Sequence, residues 1–301
     1  MPMVGIVVIN WNNWPDTAEC LDSLGGVEAC GGEVFVVDNG STDDSVSRLR
    51  ERFPDVCFIE EKQNLGFGGA ANRGMEEAKR RGHPYAWILN NDTLCSLEAL
   101  RALLETADAH PDVALFSPVI HLYPEVEKVW FAGGRINPWT GTVVHETLPP
   151  SQPSRESFLS GCSLLIRLAP VLEMGGFHEP YFLYFEDADL CMRVSQRGLG
   201  IMVVPSARIW HKEGATTACK GRSKSPLGDY YDTRNGLYFI ERQMKGLSAC
   251  SAYAYFVLRL FRKMLRIVWA GDWRNLQAVV SGLSDYRQRK FGAWIDRRRA
   301  A

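Results

Sequence analysis

Four stretches of this chain carry side chains suited to chemistry. The first is Asn90-Asn91-Asp92-Thr93, which follows the short apolar run Tyr85-Ala86-Trp87-Ile88-Leu89 and precedes Ser96-Leu97-Glu98-Ala99-Leu100. The run is too short for a helix and aromatic enough for a buried strand, and the segment after the turn reads as a helix start. Asp92 is therefore expected just past the carboxyl end of a strand, where open α/β sheets bind their ligands. A carboxylate with neighbouring amide oxygens offers the donors that a hard divalent cation, Mg2+ or Mn2+, takes. The same residue types also close ordinary Asx turns, so the stretch gains weight only from the other three.

The second stretch is Glu186-Asp187-Ala188-Asp189, directly after the aromatic run Tyr181-Phe182-Leu183-Tyr184-Phe185. On a helix starting near Glu186, Asp187 and Leu190 share one side and Asp189 turns away. Acids suit a helix N-terminus for electrostatic reasons alone. An aromatic wall also desolvates a carboxylate and raises its basicity, which serves a general base that must take a hydroxyl proton. The third stretch is Asp38-Asn39-Gly40-Ser41-Thr42-Asp43-Asp44, after the strand-like Glu33-Val34-Phe35-Val36-Val37. An acid at that strand end is placed to meet a ribose hydroxyl or a base edge, and it also caps its own turn. The fourth is Ile209-Trp210-His211-Lys212. A lone histidine is more often a bystander than a ligand, but His211 is positioned to complete the coordination of a metal held by Asp92.

These groups need a scaffold, and the rest of the chain supplies one. Val4-Gly5-Ile6-Val7-Val8-Ile9-Asn10 is a β-branched run, as for a strand buried on both faces. Asp16 to Leu24 has apolar residues at helical spacing and stops at Gly25-Gly26. Further strands are expected at 33–37, 56–59, 85–89, 113–119, 158–166 and 199–204, the last ending at Pro205. Strand alternating with helix predicts a parallel, right-handed βαβ sheet. Glu125 to Pro153 is rich in turn residues and predicts short strands and a loop near the cleft. Ser160-Gly161-Cys162 is small enough to admit a ligand or to make a tight bend. Asn64-Leu65-Gly66-Phe67-Gly68-Gly69 leads into a helix expected from Ala70 to Arg80, whose free N–H groups suit an anion. Gly66, Gly68 and Ala71 imitate a dinucleotide fingerprint, but that fingerprint belongs to the first βα turn. Here the first turn is Asn10-Trp11-Asn12-Asn13, which counts against a dehydrogenase and against a glycine-rich phosphate loop of the nucleotidyltransferase kind.

Composition narrows the class. The 301 residues are 46% hydrophobic and 23% charged, with a net charge of -1 from 34 basic and 35 acidic residues. That balance fits a globular protein and gives no global grip on nucleic acid. The eight cysteines contain no CxxC pair, so neither a zinc cluster nor a redox motif is predicted. They read as reduced core residues of a cytoplasmic protein. The first apolar run reads as a strand rather than a signal peptide, and no window of about 20 residues is apolar throughout.

Taken in order, Val8-Ile9-Asn10-Trp11-Asn12, Asp38 to Asp43, Asn64-Leu65-Gly66-Phe67, Asn90 to Thr93, Ser160-Gly161-Cys162, Gly175-Gly176-Phe177, Phe185 to Asp189 and Trp210-His211-Lys212 resemble the family 2 glycosyltransferases with a GT-A fold, and most of all their rhamnosyltransferase-like branch. The resemblance spans Val4 to Thr217. It implies an α/β GT-A catalytic domain over 1–220, with a mostly parallel sheet flanked by helices, and a helical C-terminal extension over 221–301. It further implies an inverting hexosyltransferase that uses a dTDP- or UDP-sugar and a divalent cation, Mg2+ or Mn2+. Asn10 and Asp38 match the positions that contact base and ribose, with Asn64, Gly66 and Asn91 beside them. Asp92 matches the metal-binding acid of the DxD element, and Asn90 stands where many relatives carry an acid. Asp187 matches the general base, with Glu186 next to it, and His211 matches the late metal-ligand histidine. A catalytically inactive sugar-nucleotide-binding module shares the same pattern.

The tail adds a further expectation. Tyr230-Tyr231-Asp232-Thr233-Arg234-Asn235 is mixed, and Arg234 suits either a phosphate or a structural ion pair. From Tyr253 to Trp269 the chain is apolar except for Arg259, Arg262, Lys263 and Arg266, spaced as one basic stripe on a helix. Such a helix either lies on an anionic membrane surface or docks on the catalytic domain with its stripe in water. The first option places the protein at the inner face of the cell membrane, acting on a glycan or polyprenyl-diphosphate-linked acceptor.

Overall fold

A computed structural model describes residues 4–212 and 225–294. In chain order the elements are β1 (Val4–Asn10), α1 (Trp14–Ser23), β2 (Gly32–Asp38), α2 (Ser45–Arg52), β3 (Cys57–Glu60), α3 (Gly66–Arg80), β4 (Tyr85–Asn90), β5 (Thr93–Leu94), α4 (Leu97–Ala109), β6 (Val113–Leu122), β7 (Val129–Phe131), β8 (Gly134–Ile136), β9 (Val143–His145), β10 (Ser154–Arg155), β11 (Ser163–Arg167), α5 (Leu168–Glu173), α6 (Glu186–Gln196), β12 (Gly200–His211), α7 (Pro226–Gln243), α8 (Gly246–Trp269) and α9 (Trp273–Arg287).

The main sheet runs β10-β12-β6-β11-β4-β1-β2-β3, with β5 added to β12 and β7 to β6. β1, β2, β3 and β4 are parallel, as the strand-helix alternation predicts. β11 runs antiparallel between β4 and β6, so the sheet is mixed. The central strands are β-branched and aliphatic because helices cover both faces; Ile6, Val7, Val8, Val36, Ile88, Leu89, Phe116 and Leu165 are all buried.

Three expectations about this scaffold change. The strand expected at 158–166 begins only at Ser163 and runs to Arg167. β12 does not stop at Pro205. A register shift between Val204 and Arg208 lets the strand resume beside β6 and run on to His211, since proline is tolerated at a bulge where no ladder hydrogen bond is needed. Nor does α3 begin at Ala70. It starts at Gly66, so the glycines form the first turns of the helix instead of a loop in front of it. Further along, the helix packs closely on β1. A Cβ on Gly74 would lie 2.2 Å from Val7 Cγ1, and one on Gly5 would lie 2.6 Å from Ala78 Cβ. Only hydrogen at these positions lets α3 settle on β1.

The C-terminal helices share the core of the sheet domain. Phe239 and Ile240 of α7, Met244 just after it, and Ala252 and Phe256 of α8 belong to the same buried cluster as the strands. Asp189, fully buried on α6, accepts from Arg193 Nε (2.7 Å), Arg242 Nε (3.2 Å), Gln243 Nε2 (2.6 Å) and the Tyr181 hydroxyl (3.2 Å). It thus ties α6 to α7. The basic stripe divides: Lys263 pairs with Asp229 (2.6 Å) and Asp232 (3.1 Å), and Arg259 with Asp232 (3.5 Å), while Arg262 and Arg266 face water. Helical spacing placed the four cations on one stripe, and the acids of α7 take two of them. Arg297, Arg298 and Arg299 lie outside the described residues.

Because the α3–β1 contact has no room for a methyl group, Gly74→Ala is expected to destabilise the fold by about 1–3 kcal/mol, outweighing the ~1 kcal/mol that alanine gains over glycine in a helix. Thermal unfolding measures it; an unchanged or raised Tm contradicts the packing described.

Candidate active site

Strand ends bring the singled-out side chains to one edge of the sheet. β1, β2 and β4 are parallel neighbours in register, so Asn10 pairs with Asp38 and Ile9 with Asn90. Asn10 is fully buried, and its Nδ2 donates to Asp38 Oδ1 (2.8 Å) and Ser41 Oγ (3.2 Å). Asp38 also accepts from the Ser41 hydroxyl (2.6 Å) and the Ser41 amide (3.0 Å). The Thr17 hydroxyl donates to Asn10 Oδ1 (2.7 Å) and accepts from Asn91 Nδ2 (2.9 Å). One polar chain therefore runs from Asp38 through Asn10 and Thr17 to Asn91, beside Asp92. Asn64 acts on its own loop: its Oδ1 accepts from the Gly66 amide (2.8 Å) and from Asn39 Nδ2 (3.1 Å).

Sheet register also explains how residues 92 and 211 meet. β5 pairs antiparallel with the end of β12, setting His211 opposite Thr93, and the Lys212 amide donates to the Asp92 carbonyl (2.9 Å). The His211 Nε2 then lies 3.1 Å from Asp92 Oδ1. Burial opposes charge on the imidazole, but the Cys162 sulfur and the Asp92 carboxylate outweigh it and hold the His211 pKa well above its ordinary value. Its Nδ1 is buried without a hydrogen-bond partner. Lys212 fixes the strand end by reaching Asp16 (2.8 Å) and Glu19 (2.6 Å) on α1.

Asp187 comes to this edge from the other direction. Its Oδ2 accepts from the Gly161 amide (3.1 Å) and its Oδ1 from the Ala188 amide (2.8 Å). The next residue, Cys162, contacts His211 through its thiol. The dipeptide Gly161-Cys162 thus lies between Asp187 on one side and the Asp92–His211 pair on the other. A Cβ on Gly161 would meet the Phe67 ring at 3.1 Å, so the small residues of this stretch serve a tight bend as well as access. Burial raises the Asp187 pKa against the two amide hydrogen bonds that lower it. Glu186 lies deeper, against Gly68 and near Tyr231. Burial, with the Asp187 charge second, pushes its pKa up to about 8, and its Oε2 has no hydrogen-bond partner.

Sequence reasoning passed over two aromatic residues here. Trp130 on β7 stands edge-on to His211, ring centroids 4.9 Å apart, and edge-on to His145 on β9 at 5.5 Å. His145 stacks on Phe158, and desolvation lowers its pKa although the Asp187 charge pulls the other way. The β7–β9 arm therefore bridges the surroundings of His211 and Asp187. The turn-rich composition of 125–153 announced short strands but not which rings meet His211 and Phe158. Among the described residues, no group of three or more His, Cys, Asp or Glu side chains is arranged to hold a metal ion.

Glu186 carries a test of this geometry. An acid whose folded pKa exceeds its unfolded value takes up a proton on folding, so stability is greatest below the unfolded pKa, near 4.3, and falls as pH rises through about 8. Glu186→Gln removes that loss. Its Tm is expected to gain on the wild type between pH 5 and pH 8 in parallel thermal unfolding; a difference independent of pH means the carboxyl is not buried as described.

Known proteins resemble this chain in sequence and in fold. Residues 5–173 match the model of glycosyl transferase family 2. The chain is 31% identical over 236 residues to an N-acetylglucosaminyl-diphospho-decaprenol L-rhamnosyltransferase of Mycobacterium tuberculosis, covering 70% of this chain and 76% of that protein. It is 24% identical over 211 residues to the hexosyltransferase Agl10 of low-salt glycan biosynthesis in Haloferax volcanii, covering 66% and 63%. Among solved structures, a mannosyltransferase from Pyrobaculum calidifontis, in complex with GDP-Man and Mn2+, superposes with a TM-score of 0.60 at 16% identity, covering 96% of this chain and 88% of that one. S. aureus TarS 1-349 in complex with UDP-GlcNAc gives 0.58 at 15% identity, covering 96% and 92%. The fold shared with both is GT-A. With that fold, and with the family's model matched over more than half its length, this chain belongs to glycosyl transferase family 2 and is a glycosyltransferase.

Proposed function

We propose that this enzyme transfers a rhamnosyl group, with inversion, from a dTDP- or UDP-sugar to a hydroxyl of a polyprenyl-diphosphate-linked glycan. The observation that carries the reading is the pair of functions separated by Gly161-Cys162: a desolvated carboxylate on one side, an oxygen-nitrogen donor pair on the other. The rhamnosyl and lipid-linked parts draw on the mycobacterial relative, whose name states both.

Asp38 and Asn10 lie where a ribose and base fit at the strand ends, joined by hydrogen bonds to Ser41 and Thr17. Asp92 Oδ1 and His211 Nε2, 3.1 Å apart, match the separation, about 3.0 Å, of neighbouring corners in a six-coordinate shell with ~2.1 Å bonds. Once the imidazole gives up its proton, the pair supplies one oxygen and one nitrogen donor to a divalent cation, and the imidazole favours Mn2+ over the all-oxygen preference of Mg2+. When bound, the cation stabilises charge on the departing diphosphate. Asp187 takes the proton of the acceptor hydroxyl as its oxygen bonds to the anomeric carbon. The bond from that carbon to the diphosphate oxygen breaks on the opposite face, and the nucleoside diphosphate leaves with the electron pair. Burial brings the Asp187 pKa closer to the working pH, which suits a general base.

The membrane reading rests on α8. Val257, Phe261, Leu265 and Trp269 recur every four residues and are all exposed, Trp269 at 94%, and Trp273 follows at 66%. Arg262, Arg266 and Arg274 stand in water beside them. Apolar rings flanked by cations match an anionic lipid surface. No helix among the described residues is long and apolar enough to cross a membrane.

Asp187→Asn is expected to lower kcat by at least 10³-fold, within the span general bases supply, while the dissociation constant for the nucleoside diphosphate stays within about twofold in Mn2+. Turnover within tenfold of wild type removes Asp187 from the role, and a wild type that binds nucleotide but never releases it from the sugar is an inactive module. Cosedimentation with anionic vesicles is expected for the wild type and lost in Phe261→Glu/Trp269→Glu. Wild type remaining in the supernatant rules out the membrane surface.

A further inference from the structure

The loop that delivers the acids is held in an unfavourable backbone conformation. Phe182, Tyr184 and Phe185 all have left-handed φ angles, +67°, +66° and +75°. Bulky residues avoid that region, and such runs persist only where the surroundings over-determine them. Phe185 is the residue that caps α6, so its conformation sets the direction in which Glu186 and Asp187 leave the loop.

The restraint comes from α7, some fifty residues later in the chain. Asn235 Nδ2 lies within hydrogen-bond distance of three carbonyls of the loop, Tyr181 (2.9 Å), Leu183 (2.8 Å) and Tyr184 (2.9 Å). Arg234 Nη2 donates to the carbonyls of Tyr181 (2.7 Å) and Pro180 (3.3 Å), and its Nη1 to that of Gly292 (2.7 Å). The Arg234 Nε donates to Asn235 Oδ1 (2.8 Å), which orients the amide. Both side chains are fully buried. Among the described residues no carboxylate pairs with Arg234. A buried guanidinium without an acid is costly, and here its fork is spent on backbone carbonyls. On the far side, the Phe182 carbonyl accepts from the Phe67 amide (2.9 Å), and a Cβ on Gly66 would lie 2.2 Å from that oxygen. The loop is thus pressed between the start of α3 and the Arg234–Asn235 pair.

We infer that Arg234 and Asn235 are positioning residues for glycosyl transfer: from α7 they hold the loop Phe182–Phe185, with its three left-handed residues, in the one conformation that aims Asp187 at Gly161. The inference rests on the functional reading above, in which Asp187 is the base. It assigns Arg234 neither to a phosphate nor to an ion pair, and it makes the C-terminal helices part of the catalytic apparatus.

The test uses the full-length chain with Asn235→Asp, which keeps the shape but turns the donor into an acceptor facing three carbonyls, with Asn235→Ser, which is smaller and uncharged, and with Arg234→Lys. Calorimetry with the nucleoside diphosphate and Mn2+ counts competent sites. The expected result for every variant that folds is a kcat at least 30-fold lower for Asn235→Asp and at least tenfold lower for the other two, with nucleotide stoichiometry and affinity within twofold of wild type. Hydrogen exchange is expected to accelerate at least tenfold in peptides covering 181–188 and to stay unchanged in β1, β2 and β4. A kcat within threefold in Asn235→Ser, or a loss of kcat matched by an equal loss of nucleotide stoichiometry, overturns the inference. If the wild type transfers no sugar, the functional reading fails instead, and the exchange experiment alone decides the clamp: uniform or absent acceleration refutes it.

Discussion

The hydrogen bond from the Gly161 amide to the Asp187 carboxylate, 3.1 Å long, fixes the relation between two parts of the molecule that the chain makes separately. Gly161 belongs to the bend that enters β11, between β4 and β6. Asp187 opens α6, which is fastened to the C-terminal helices through Asp189 and its partners. The contact sets the acid against the bend that also carries Cys162, and the proposed chemistry needs its relation to Asp92 and His211 held to a fraction of an ångström. The carboxylate is also desolvated there. The two amides keep it ionisable while burial keeps it basic.

The strand-end side, proposed to hold the nucleotide, and the acid side are stabilised by different means. At the ends of β1, β2 and β4 the sheet register does the work, and side chains such as Asn10, Asp38 and Thr17 satisfy one another in a buried chain in which almost every donor has an acceptor. Such networks rigidify a site because a broken member leaves a costly unpaired group. The acid side relies on an irregular loop whose carbonyls would be orphaned without Asn235 and Arg234. Glu186, buried with an unpartnered oxygen, is a liability of the same region. Stability is given up there to place its neighbour.

Much of this was legible in the sequence where the physics is local. β-branched runs announce buried strands, so β1, β2 and β4 and the placement of Asp38 and Asp92 at their ends could be read directly. The helix start at Ser96 to Leu100 was likewise read from the residues, and the structure adds that the Ser96 hydroxyl caps α4 by accepting from the Ala99 amide. What escaped was non-local. Pro205 reads as a terminator, and only pairing with β6 shows that β12 resumes beyond it and carries His211 to Thr93. Gly66 and Gly68 read as an anion loop, but the group that presses on Gly66 is the Phe182 carbonyl, more than a hundred residues away. Arg234 has no local signature, because the carbonyls it holds, those of Pro180, Tyr181 and Gly292, belong to other segments. Helical spacing showed that Arg259 and Lys263 share a stripe with Arg262 and Arg266. It did not show that Asp229 and Asp232 would claim the first two.

The central claim is that one carboxylate, Asp187, faces the sugar from the side opposite the diphosphate held near Asp92 and His211. A single displacement in that geometry must invert the anomeric centre. The most direct measurement is the anomeric configuration of the first-formed product, by NMR, from a nucleotide sugar of known configuration. A β-linked donor is expected to give an α-linked product; a β-linked product would contradict the account.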